Sequence, residues 1–157
     1  MVIRPALRPR RQGTAAVEFA VVLIFVMPLL IGLWEVGRLV EVEQLLNNAV
    51  REGARQASTG NTNTAGVQAV VVNYLAANGI TATASNVTVT NKTSSARPDP
   101  TGANQMDQFH VSVQIPFNSV RWILLNQITS VQNLTASTDF YSMRDTPLTV
   151  NANIPVQ

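Results

Sequence analysis

The sequence predicts an α+β fold: a long N-terminal helix, membrane-spanning in its first half and amphipathic in its second, then a small antiparallel sheet with one or two packed helices. Three observations carry this. Residues 19–34, FAVVLIFVMPLLIGLW, contain no polar side chain. Val36, Leu39, Val40, Leu45, Leu46, Ala49, Val50, Ala54 and Ala57 then recur at spacings of mostly three and four, the period of a helix with one apolar face. Phe109, Val111, Val113, Ile115 and Phe117 alternate strictly, as in a half-buried strand.

The elements follow in order. Residues 1–13, MVIRPALRPRRQG, are basic and hold Pro5 and Pro9, so the sequence predicts an extended leader. Residues 14–35 form a transmembrane helix. From Thr14, and allowing Glu18, 21 residues of low polarity precede Glu35, enough to cross a hydrocarbon core of about 30 Å. Pro28 lies in mid-span, where its missing N–H predicts a kink or a locally weakened turn. Residues 36–58 continue the helix outward, with Glu41, Glu43, Gln44, Asn47, Arg51 and Glu52 between the apolar positions. The whole helix, 14–58, would be on the order of 65 Å long. Ser58 to Thr64, STGNTNT, reads as its end and a linker.

Residues 59–157 make a small extracytoplasmic α+β domain. Val67, Val70, Val71, Tyr74 and Leu75 trace one helical face closed by Asn78-Gly79. Val87 and Val89 alternate with threonines, and Leu134, Ala136, Thr138 and Phe140 alternate again. Between the first two strands, Lys92 to Gln108 is a polar loop. Asn118 or Ser119 could cap a short helix through Val120, Ile123 and Leu124.

Charge is distributed unevenly. Of 11 basic residues, four (Arg4, Arg8, Arg10 and Arg11) precede Gly13, which leaves seven against nine acids from Thr14 onward. The basic balance therefore belongs to a tip and gives no support for a nucleic-acid-binding surface. With every leader charge on one side of the span, the positive-inside rule puts the N-terminus in the cytoplasm and the C-terminal domain outside. The chain has no cysteine, which removes disulfides, thiol catalysis and cysteine-ligated metals. It carries no phosphate loop, nucleophile elbow or paired catalytic carboxylates. His110 is the single histidine and faces away from the apolar side of its strand. Asp99, Asp107, Asp139 and Asp145 show no ligand spacing. No catalytic residue, metal site or cofactor is expected, and the chain is not expected to be an enzyme.

The head of the chain brings together basic residues, Gly13, and an apolar helix with one carboxylate, Glu18, five positions in when Thr14 is counted first. Glycine before a scissile bond lies extended in a protease cleft without side-chain clash. Cleavage there would leave Thr14 with a free ammonium close to Glu18. GTAAVEFAVVLIFVMPLLIGLWEVGR (Gly13 to Arg38), NNAVREGARQAS (Asn47 to Ser58) and the near-terminal LTASTDFYSMR (Leu134 to Arg144) resemble the TadE-like family, minor pilin-like proteins (pseudopilins) of the tight-adherence, or Flp-type, pilus system. The resemblance implies a pilin-like fold and a structural or assembly role in a type IV pilus, with the adhesion or secretion functions such systems serve. It implies processing after Gly13 by a prepilin peptidase. As partners it implies other pilin-like subunits, the major Flp pilin and an inner-membrane assembly platform, with lipid around the span and no nucleic acid. By matched position it makes Glu18 the assembly carboxylate, and Glu35, Gly37, Arg38, Arg51, Glu52, Gly53 and Arg55 the helix signature. The residues fit a TadE-type or a TadF-type role.

Plainer readings stand beside these. Glu18 could be a charge snorkelling to the interface. Glu35 with Arg38, and Glu52 with Arg55, could be solvated i,i+3 pairs worth a few tenths of a kcal/mol, or subunit contacts. A secretory signal peptide would need a small-x-small cleavage site after its apolar core. Gly32-Leu-Trp-Glu-Val-Gly-Arg offers none. The rival function is a bitopic membrane anchor, uncleaved, whose outer domain binds an envelope or surface partner.

Overall fold

The computed structural model describes residues 12–120 and 132–144. The chain divides into two compact units, Met1–Gly37 and Arg38–Gln157. The first helix, α1, runs through both as Gln12–Ser58, and Pro28 lies inside it. It includes Gln12 and Gly13, which the sequence placed in an extended leader. Extending a formed helix by two residues free of proline meets no nucleation barrier.

In the first unit the apolar side chains of α1 are turned outward. Phe19 is 64% and Leu29 74% exposed. The most apolar 18-residue window has a mean hydropathy of 2.6 and is 0% buried. A core helix of that length would be mostly covered. This one is long and apolar enough to cross a membrane and leaves that surface free to meet lipid.

The second unit is built on the outer part of α1. Val42, Leu46, Ala49, Val50, Ala54 and Ala57 are all at most 5% exposed. They share a core with α2 (Thr64–Ala77), whose buried residues are Val67, Val71 and Leu75. At its N-terminus Asn63 accepts a hydrogen bond from the Gly66 amide, 2.8 Å, and the Asp99 carboxylate accepts from the Thr64 amide, 3.1 Å, so two of the unsatisfied donors are capped. The other end is a Schellman motif. Gly79 has φ +74°, its N–H bonds to Ala76 C=O and Ile80 N–H bonds to Leu75 C=O. Ile80 and Leu75, both buried, make the accompanying apolar contact.

Three strands, β1 (Val87–Asn91), β2 (Gln108–Pro116) and β3 (Asn133–Tyr141), form an antiparallel sheet in the order β1-β2-β3. The register places Val113 opposite both Val87 and Ala136, and Phe109 opposite Phe140. The apolar residues therefore line one face, where the Phe109 and Phe140 rings stack at 5.3 Å. The opposite face carries Thr88, Thr90, His110, Ser112, Gln114, Thr135 and Asp139. The expected α+β class holds: two helices and a three-stranded antiparallel sheet.

The stretch Lys92 to Gln108, read as a polar loop, is ordered from within. Asp107 is 3% exposed and accepts from Arg97 Nε at 3.1 Å and from the Asn104 amide at 2.9 Å. Asn91 accepts from the Thr93 and Ser94 amides and donates to Arg97 C=O. Phe117–Ser119 is a single 3-10 turn; Ile123 and Leu124 of the expected short helix lie outside the described residues.

Candidate functional site on the N-terminal helix

All the candidate residues lie on α1. Gly13, Thr14 and Glu18 are exposed in its first two turns, and a Cβ on Gly13 would meet nothing within 4 Å. Glu18 is four residues from Thr14, so the two share a helix face about 6 Å apart along the axis. Pro28 is also exposed.

At the end of the span the reading of Glu35 as solvated is corrected. Glu35 is only 3% exposed, and the Arg38 guanidinium turns to Glu41 at 2.9 Å. Arg38 Nε also donates to the Val120 carbonyl, 3.1 Å, which ties the first turn of the outer helix to the end of the Phe117–Ser119 turn. The Arg38 side chain is 10% exposed. It is a clamp within the second unit. Gly37 is exposed with nothing within 4 Å of an added Cβ.

Further out, Glu52 and Arg55 pair as expected, with Arg55 Nη2 to Glu52 Oε1 at 2.6 Å and Arg55 Nε to Oε2 at 2.9 Å. Hydrogen bonds from Arg55, then from Gln56, hold the Glu52 carboxyl down at about 2. Arg51 is exposed. Gly53 is buried, and a Cβ there would stand 2.6 Å from Val71 Cγ2. Here α1 packs close against Val67 and Val71 of α2, so this signature residue has a packing reason.

A family model described as TadE-like protein matches residues 13–55. The matched segment begins at the glycine of the expected cleavage site and ends at Arg55, so it covers α1 and none of α2 or the sheet. Over its N-terminal helix the chain is similar to the TadE-like family. No curated protein and no solved structure gives a significant match. Every site residue named from sequence falls within the matched segment of the TadE-like helix.

Sequence reasoning missed the partners that this helix finds elsewhere in the chain. The Arg38–Val120 bond joins residues 82 apart, and nothing local announces it. Asp107 left a faint signal, a carboxylate at the boundary between a polar loop and a strongly alternating strand. On the outer sheet face His110 lies opposite Asp139, with Nδ1 2.6 Å from Oδ1, and Lys92 Nζ is 3.0 Å from Oδ2. The hydrogen bond with His110, then that with Lys92, holds the Asp139 carboxyl below its usual range. Among the described residues, no three His, Asp or Glu side chains are grouped to hold a metal ion.

Proposed function

We propose that the chain is a minor pilin-like subunit of a Tad (Flp-type) pilus system. A prepilin peptidase removes its basic leader after Gly13. The span at 14–35 holds it in the bacterial inner membrane, with the leader cytoplasmic and the sheet domain extracytoplasmic. An assembly platform then draws it, with other pilin-like subunits and the major pilin, into a filament through α1. This reading assigns no enzymatic step to the chain.

One observation carries it. A single unbroken helix presents, in its first half, exposed apolar side chains and the carboxylate of Glu18, and forms in its second half a wall of a folded core. An anchor needs only the apolar side chains. A charge at mid-membrane depth costs about 2.5–3.5 kcal/mol, less near the edge, and Ala or Leu would avoid the cost altogether. After cleavage the nearest cation is the Thr14 ammonium. A pair with the ammonium of a neighbouring subunit would fix the axial stagger, because only one offset brings the two charges together in low dielectric. The test is Glu18→Ala. Insertion and cleavage should persist while incorporation into the pilus is lost, and Glu18→Asp should be partly tolerated. Normal piliation with Glu18→Ala alone would overturn the pairing.

The helical first turn favours the second reading, an uncleaved bitopic anchor. A peptidase that binds extended backbone must first unwind Gly13 and Thr14, whereas an anchor keeps them as they are. Processing at Gly13 separates the two.

A further inference from the structure

Beyond the span, most charges of the described residues are paired. Glu41, Glu52, Asp107 and Asp139 each hold a cation, and Asp99 accepts from the Thr64 and Thr101 amides. Among the described residues of the second unit, one carboxylate is left over: Glu43, exposed on α1, whose side chain makes no hydrogen bond or ion pair. Arg38, Arg55, Lys92 and Arg97 are the matching cations. Arg144 lays its aliphatic stem against Gly60. Arg51 is exposed and, like Glu43, makes no bond.

These two opposite charges are both exposed on one helix. Eight residues separate them, about 12 Å of rise and about 80° of turn. Arg51 lies on the side away from the buried Val42, Leu46, Ala49, Val50 and Gly53, whereas Glu43 stands nearly in line with Val50, seven residues nearer the N-terminus, and is exposed there. Within one copy they are too far apart to meet. Beside Arg51 is an open cleft of about 490 Å³ lined by Gln44, Asn47, Asn48 and Arg51. The Asn47 amide already donates to the Glu43 backbone carbonyl, 2.9 Å. The guanidinium and the amides of Gln44 and Asn48 remain available, a set of donors that suits a carboxylate.

We propose that this cleft receives the Glu43 carboxylate of a second copy of the chain, displaced along α1 by eight residues, about 12 Å. The inference rests on the reading above in one respect: copies inserted by the same N-terminal span run parallel. Parallel copies in register would set Glu43 against Glu43 and Arg51 against Arg51. A shift of eight residues replaces both repulsions with one attraction, and it relates a different pair of neighbours from the four-residue offset that would join Glu18 to a Thr14 ammonium. The contact is heterologous, since the Arg51 side of one copy meets the Glu43 side of the next, and such a contact propagates along a row and does not close a dimer. An exposed ion pair contributes little energy; its effect here is on register.

The chain has no cysteine, so cross-linking is clean. Full-length Glu43→Cys and Arg51→Cys, carrying different tags, are co-expressed in the native membrane and oxidised. A disulfide needs Cα atoms about 4.4–6.8 Å apart, so the expected product is a dimer carrying both tags, at least ten-fold above that from either variant alone. Equal yields from the single variants, no dimer, or a cross-link to a protein of different mass would each overturn the proposal. Both positions are exposed, so folding is not at stake. Charge exchange gives a second reading: Glu43→Arg and Arg51→Glu should each lower co-purification of differently tagged copies, and the double exchange should restore it. Pilus incorporation is scored in the same cells. Incorporation without the dimer sinks the stagger and spares the pilus; the dimer without incorporation does the reverse.

Discussion

Replacing Gly53 by alanine puts a methyl group where the second helix already stands. The new Cβ would lie 2.6 Å from Val71 Cγ2, about 0.8 Å inside ordinary carbon contact. Val71 is 0% exposed and β-branched, so moving its methyl away means leaving its strongly preferred helix rotamer inside a packed core. The helices must separate, and overpacking of this kind costs about 1–3 kcal/mol. Against it, alanine gains about 1 kcal/mol over glycine in a helix interior. Gly37 provides the control, because it lies on the same helix and an added Cβ meets nothing within 4 Å. Gly53→Ala should lower stability by up to about 2 kcal/mol, Gly37→Ala should leave it unchanged or raise it by up to about 1 kcal/mol, and their difference is the overpacking term. The assay is hydrogen exchange of the β2 amides in the full-length protein in detergent, since core strands report the global opening free energy. Adding Val71→Ala to Gly53→Ala removes the offending methyl, and the double-mutant cycle should show a favourable interaction between the two changes. Equal effects of Gly53→Ala and Gly37→Ala would refute the close approach as the reason for glycine at 53.

Asp107 gives the pH dependence. The Arg97 guanidinium, with the Asn104 amide, holds its carboxyl below the usual range. A carboxyl depressed in the folded state stabilises the protein above its unfolded value and ceases to do so as pH falls through the folded one. Asp107→Asn should therefore be less stable than the parent at neutral pH, and urea midpoints should show the gap closing below about pH 4. A gap constant to pH 2 would contradict the assignment. A fragment beginning at Gly60 removes the wall formed by Val42, Leu46, Ala49, Val50, Ala54 and Ala57, so its amides should exchange as in an unfolded chain, whereas a fragment beginning at Arg38 keeps that wall and should retain protected β2 amides. Protection in the shorter fragment would show that the helix is dispensable to the core.

What the sequence made legible was what periodicity encodes. The apolar run from Phe19, the three-four spacing beyond Val36 and the alternation from Phe109 each need only neighbouring residues. Asn78-Gly79 announced its helix end for the same reason, because a Schellman motif is local. Glu35 and Arg38 were misjudged because i,i+3 spacing shows which side chains could meet and not which better partner is available: Glu41 lies three residues further on, and the Val120 carbonyl arrives from 82 residues away. The loop before β2 looked structureless because its organiser, Asp107, is polar by composition and buried only through the donors around it. Gly53 carried a family signature but no stated cause, since its cause is Val71 on another helix. The fold class followed from the one-dimensional pattern; the clamps that position α1 needed the third dimension.

The central claim is that α1 is made with a leader and works without it. The intact mass of the protein purified from its own membrane tests that most directly. The account predicts a chain beginning at Thr14, lacking the 13 residues Met1 to Gly13, with Gly13 replaced by a bulky residue blocking the loss while leaving insertion unchanged. A steady-state pool that retains Met1 would contradict it and leave the uncleaved anchor in its place.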